Sequence, residues 1–206
     1  GFVDYGEPVE RAAIREAKRV DYDEAIGAGA YNLATLLAEL GAYEEVGEII
    51  DQLKQRQFDQ HRHLFLGSLP QILQANLHIE RGDYLEALEV LEEVDIGAGD
   101  QVSAEPAAKA RLRSVQAHVG LGQLDHARAL LEEVDLSEDI APGGPVEGLE
   151  ELAQSAIDLA EESFDRAADR AKQAADELRE SGHFQDAVRA SVIRCRALIE
   201  AGRTGE

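Results

Sequence analysis

The chain has no methionine, no tryptophan, one cysteine (Cys195) and five prolines in 206 residues. A single cysteine excludes an internal disulfide framework and a cysteine-based zinc finger. With 5% aromatic residues, any core must be filled mainly by aliphatic and small side chains. No apolar run approaches the roughly eighteen residues of a membrane helix, and no basic-then-apolar leader opens the chain. Positive charge is also scarce. Asp and Glu number 42 against 20 Lys and Arg, for a formal charge of −22. Such a surface repels phosphate, so neither nucleic acid nor membrane is expected as a partner.

What is present is alanine, acid and helix-forming residues. Ala occurs thirty-two times, and the basic residues divide into four Lys and sixteen Arg. At 44% hydrophobic the composition is that of a globular chain. The acids are dispersed through nearly every ten-residue block. Dispersal favours a salt-adapted, halophile-like cytoplasmic protein over an acidic scaffold that meets basic partners. An Arg-rich, Lys-poor, Ala-rich usage also fits a GC-rich genome.

An internal repeat organises the sequence. Five segments align without gaps: Leu37 to Glu45, His78 to Glu86, His118 to His126, Asp158 to Arg166 and Leu198 to Glu206. Their anchors are Gly41, Gly82, Gly122, Glu162 and Gly202, spaced 41, 40, 40 and 40 apart. Seven residues before each anchor stand Ala34, Ala75, Val115, Ser155 and Cys195, all small. Offsets of −10 and −3 carry mostly apolar residues, so −10, −7 and −3 form one helix face. After the anchor, Tyr43, Tyr84, Leu124 and Phe164 stand at +2 and Val46, Ala87, Ala127 and Ala167 at +5, opening a second amphipathic helix. Each unit therefore reads as an αα-hairpin whose anchor glycine caps the first helix in the left-handed conformation. Glu162 breaks the glycine rule, which predicts a different cap there or one longer helix. A hairpin cannot bury its own apolar stripe, so neighbours must stack.

The turns Leu40-Gly41-Ala42-Tyr43, Gly82-Asp83-Tyr84-Leu85-Glu86-Ala87-Leu88 and Gly122-Gln123-Leu124-Asp125-His126-Ala127 resemble those of the tetratricopeptide repeat family. The resemblance spans about residues 20–206. The period is longer than the family's usual value of about 34, the early tryptophan is replaced by Ala30, Gln71, Arg111, Glu151 and Ser191, and the closing proline is missing. The chain is thus most similar to a long-helix branch found in sensor regions of bacterial and archaeal regulators. The resemblance implies an all-α fold, a right-handed superhelical solenoid of stacked antiparallel αα-hairpins. One repeat domain over residues 1–206 is expected, as a fragment of a longer chain, because both ends fall near the same phase of the repeat.

Helices are expected from Glu7-Pro8 to about Arg19, about Asp21 to Leu40, and Tyr43 to Gln57. Leu69 to Arg81 pairs with Tyr84 to Val94, after a break at Gly67, Ser68 and Pro70. A third hairpin begins at Pro106, a fourth follows a loop over Leu136 to Gly148, and a last helix runs from about His183 to Ala201.

No catalytic constellation emerges. Cys195 occupies a small-residue core position and is expected to pack. Gly27-Ala28-Gly29 lacks the strand that a dinucleotide fingerprint needs. The pairs Glu44-Glu45, Glu92-Glu93 and Glu132-Glu133 repeat on helix exteriors, as a solvated face does. His61 and His63 diverge on a helix; His126 and His183 stand beside turns. His78 and His118 share one repeat position with Asp158, a conceivable metal ladder, but Leu37 and Leu198 fill the same row and favour a packing role. No cofactor is called for.

The resemblance implies that first helices line a groove for a protein or peptide partner. Thr35, Asn76, Gln116 and Arg196 fall in one register there. Lys109 and Arg113, four apart, resemble half of the family's clamp for a peptide carboxylate. The other half is absent, since Tyr31 and Thr35 stand in its place. The expected function is a non-enzymatic protein–protein interaction scaffold. A sensor or regulatory domain of a multidomain regulator, and a small-ligand or metal-binding helical protein, are the alternatives. The oligomeric state is left open.

Overall fold

The computed structural model describes residues 2–56, 64–92, 94, 104–134, 144–203 and 205. Among these residues there are ten helices and no strand: α1 (Phe2–Arg19), α2 (Asp23–Glu39), α3 (Tyr43–Arg56), α4 (Leu64–Arg81), α5 (Tyr84–Glu92), α6 (Ala104–Gly120), α7 (Leu124–Glu132), α8 (Pro145–Ala160), α9 (Phe164–Glu180) and α10 (Phe184–Glu200). The protein is all-α, as expected.

One turn recurs. At Gly41 the backbone N–H donates to the Ala38 carbonyl at 3.0 Å, and the Ala42 N–H donates to the Leu37 carbonyl at 2.9 Å. This pair of bonds satisfies carbonyls that a helix end leaves without partners. The same pair closes the helices at Asp21, Gly82, Gly122, Glu162, Gly182 and Gly202. All seven anchors have positive φ, from 53° at Asp21 to 81° at Gly182. The residue after the anchor serves twice: the Ala42 carbonyl accepts the Val46 N–H at 3.2 Å, opening α3. Helix and successor are thereby joined with almost no loop.

Glu162 does not change the cap. It takes the left-handed conformation itself, with φ 60°, and the Ser163 N–H still reaches the Asp158 carbonyl at 2.8 Å. Asp21 and Gly182 extend the series. Anchors at 21 and 41, and at 162, 182 and 202, are 20 residues apart, so the forty-residue period contains two helix-plus-turn steps.

The chain divides into two compact units, Gly1–Val102 and Ser103–Glu206. In the first, α1 packs on α2, α2 on α3 and α4, α3 on α4, and α4 on α5. Its core joins Ala30, Leu33, Leu37, Ile50, Leu69 and Leu73 among others. In the second, α6 packs on α7 and α8, α7 on α8, α8 on α9 and α10, and α9 on α10. Leu112, Val115, Leu149, Leu152, Ile157 and Leu178 are among its core, and a smaller cluster gathers Ala167, Ala168, Ala197 and Leu198. The small residues expected at helix crossings are there: Ala34, Ala75, Val115, Ser155, Ala87, Ala127 and Ala167 are all buried.

The buried stripe of the first helices is turned away from −3, where Ala38, Ile79, Val119 and Leu159 are only half-buried and Ile199 is exposed, toward −4 and −5. It takes in Leu37, Asp158 and Leu198 at −4 and Leu77, Ala117, Ile157 and Ala197 at −5. A helix covered by both its hairpin partner and the next first helix buries the arc between those two neighbours rather than one apolar seam.

Two prolines do not mark helix starts as expected. Pro8 lies inside α1 and Pro70 inside α4; each removes one backbone donor without stopping its helix. α8 starts at Pro145, a first-turn position that suits proline, so Gly148 belongs to the helix and not to a loop. A Cβ on Gly148 would lie 2.8 Å from Leu178 Cγ; the glycine lets α8 and α9 close together. Most of the loops expected over Asp95 to Glu105 and Leu136 to Gly148, and His61 and His63, lie outside the described residues, while Ala104 and Glu105 already belong to α6.

Candidate functional site

Three sequence-selected groove residues, Lys109, Arg113 and Gln116, stand on α6, and the fold brings them to the start of α10. Arg113 is not displayed to a partner. It is 3% exposed and its guanidinium grips Asp186, itself 4% exposed, with Nη1 donating to Oδ1 at 2.8 Å and Nη2 to Oδ2 at 2.7 Å. Arg189 Nη1 donates to the same Oδ1 at 2.8 Å, and Gln116 Oε1 accepts from Arg113 Nη1 at 2.9 Å. The carboxylate that such a fork would take from a partner is supplied by the chain itself. α6 and α10 are not packed directly on one another, so the pair ties them across α8. His183 lies beside this network. Burial holds its pKa below the ordinary histidine value, and the positive charge of Lys109 lowers it further.

Arg196 faces solvent on α10. Beside it the helix presents an apolar stripe. Phe184, Val188, Val192 and Ile199 are 53%, 60%, 54% and 61% exposed, and Cys195, also exposed, falls within the stripe. Steps of four, four, three and four residues keep all five on one side of the helix. Val192, Cys195 and Ile199 hold the positions that on α8 are Leu152, Ser155 and Leu159, of which the first two are buried. The thiol predicted to pack is therefore on the surface, because no described helix covers this side of α10. Arg194 and Arg196 flank the stripe and have no hydrogen bond or ion pair from their side chains among the described residues. The sequence marks the stripe clearly; the helix–helix contacts show that it is uncovered.

In the first unit Thr35 on α2 and Asn76 on α4 are partly buried. Asn76 Oδ1 has no hydrogen-bond partner among the described residues. His78 Nδ1 lies 3.8 Å from Asp83 Oδ2, too far for a hydrogen bond. In the second unit His118 Nδ1 is 2.6 Å from Gln123 Oε1, and its ring stacks on His126 with centroids 5.7 Å apart. Asp158, the acid of the proposed ladder, is buried between Arg166 at 3.4 Å and Arg170 at 3.2 Å. Among the described residues no three His, Cys, Asp or Glu side chains gather as a metal site would require. No helix among them is long and apolar enough to cross a membrane.

Compared with family models, curated proteins and solved structures, the chain gives no match.

Proposed function

We propose that the protein is a non-enzymatic interaction module that docks a partner protein on the outer face of α10, each unit being a segment of a right-handed superhelical solenoid of the tetratricopeptide-like kind. The carrying observation is the exposed stripe Phe184, Val188, Val192, Cys195 and Ile199, since contiguous apolar surface rimmed by polar residues marks interaction sites. The recurring left-handed turn supports the repeat reading: it sets successive helices in one register, as stacked hairpins require. Arg194 and Arg196 fit a partner helix with acidic flanks. The buried Arg113–Asp186 pair argues against a carboxylate clamp on α6 and so favours the reading that the partner docks on α10.

The test is affinity capture with the whole chain and with the Val188→Asp/Val192→Asp variant. Both positions are exposed, so helicity by circular dichroism should be unchanged. A partner retained by the natural chain and lost by the variant supports the reading. Equal capture by both proteins overturns it.

A further inference from the structure

A second feature lies in the first unit, away from α10. A cavity of about 470 Å³ opens between α1 and α3, with α2 as its floor. Two bridges fix its walls: Arg11 Nη2 donates to Glu45 at 2.6 Å, and Lys18 Nζ donates to Gln52 Oε1 at 3.3 Å. Both span 34 residues, so α1 and α3 run side by side and parallel, in constant register. The two helices do not pack on one another; only side chains close the gap.

The lining is unusual for a chain of charge −22. Arg11, Arg15, Lys18 and Arg56 all face the cavity. Arg11 is satisfied by Glu7 and Glu45, and Arg56 by Asp21 and Asp23. Among the described residues Arg15 has no hydrogen bond or ion pair, and Lys18 is paired with an amide only. The lining acids are Glu45, already engaged by Arg11, and the exposed Glu48. With Glu7, Asp21 and Asp23 counted beside the lining acids the surround has no positive excess; what distinguishes it is that Arg15 and Lys18, alone of the four lining cations, have no carboxylate partner among the described residues. Beneath them the floor is apolar: Ile26, Ala30, Leu33 and Leu53 are buried residues that line the cavity.

We propose that this cavity binds a small amphipathic organic anion, its carboxylate or phosphomonoester head held by Arg15 and Lys18 and its apolar body laid on Ile26, Ala30 and Leu33. Three physical points carry the assignment. The volume falls within the range of small-molecule sites, about 300–1,000 Å³. An apolar floor beneath a rim of charged and amide side chains offers each end of an amphipathic molecule its own surface. Charge-assisted bonds from Arg and Lys to an oxyanion are stronger than neutral ones, and here the donors are not already consumed by acids.

The experiment is calorimetric titration of the full chain with octanoate and octyl phosphate, which share a tail and differ in head. Acetate, octylammonium and octanol are the controls. Binding of at least one octyl anion is expected, with weak or no heat from the controls. Arg15→Gln/Lys18→Gln should weaken the preferred anion by about tenfold or more, since one charge-assisted bond is worth about 1.5–3 kcal/mol. Both residues are exposed, so the variant keeps its fold. Arg19→Gln, whose side chain pairs with Glu16 and does not line the cavity, should leave binding unchanged. The ratio of the two anions identifies the head group. The proposal is overturned if neither octyl anion binds, if octylammonium or octanol binds as well as they do, or if the double variant retains full affinity.

Discussion

Glu162 occupies a backbone conformation that five glycines adopt at equivalent turns. A Cβ in the left-handed region crowds the neighbouring carbonyl, at a cost of roughly 1–2 kcal/mol, partly offset because glycine is the more flexible residue in the unfolded chain. Its φ of 60° is therefore a small strain that the cap bonds on either side sustain. Glu162 is exposed, so its side chain adds little packing in return. Glu162→Gly should stabilise the protein by about 0.5–1 kcal/mol, read as a higher urea midpoint with an unchanged slope. An unchanged or lower midpoint would mean that the turn is not limited by its backbone. The reverse change at a neighbouring turn, Gly122→Ala, places a Cβ in open space, so any loss there measures the backbone term alone. Asp21, with φ 53°, belongs to the same class, and its carboxylate is held by Arg56.

At the scale of helices, the hairpins were legible because their signals are local. Gly41, Gly82 and Gly122 mark caps, and Ala87 and Ala127 mark crossings; each is decided by backbone sterics or contact distance within a turn or two. Two of the seven turns were missed because Asp21 is not glycine and Gly182 lies midway between the anchors compared. Starts at Pro8 and Pro70 were placed too late, since proline signals a helix beginning more often than a helix interior. The roles of Arg113 and Cys195 were not legible. Both depend on which helix meets which across α8, a fact that no local pattern states. For the same reason the basic face of α1, Arg11, Arg15 and Lys18 at steps of four and three, was visible in the sequence, but its facing wall on α3 was not. The tie between α6 and α10 gives a test at this scale. Arg113→Met leaves Asp186 buried with only Arg189 beside it, and should cost about 3 kcal/mol. Arg113→Met/Asp186→Leu removes both charges and should recover roughly half of that loss, because an apolar pair of similar volume needs no partner. If the double variant is less stable than the single one, the ion pair is a net contributor and the desolvation argument fails.

For the whole molecule the charge of −22 now has a distribution. Among the described residues only two acids, Asp158 and Asp186, are buried, and each is flanked by two arginines. The other described acids lie wholly or partly at the surface, many on helix exteriors and turns, where they repel one another and oppose compaction. Salt should relieve that repulsion in two stages that a melting curve separates. Simple screening shortens the Debye length from about 10 Å at 0.1 M to about 3 Å at 1 M, so most of its benefit is gained by about 0.3 M. A surface adapted to concentrated salt continues to gain beyond that point, as its dispersed carboxylates and few lysines lead one to expect here. The melting temperature should therefore keep climbing between about 0.3 and 2 M KCl. A plateau above about 0.3 M would instead assign the acidity to recognition of basic partners, whose binding would then weaken over the same range of salt.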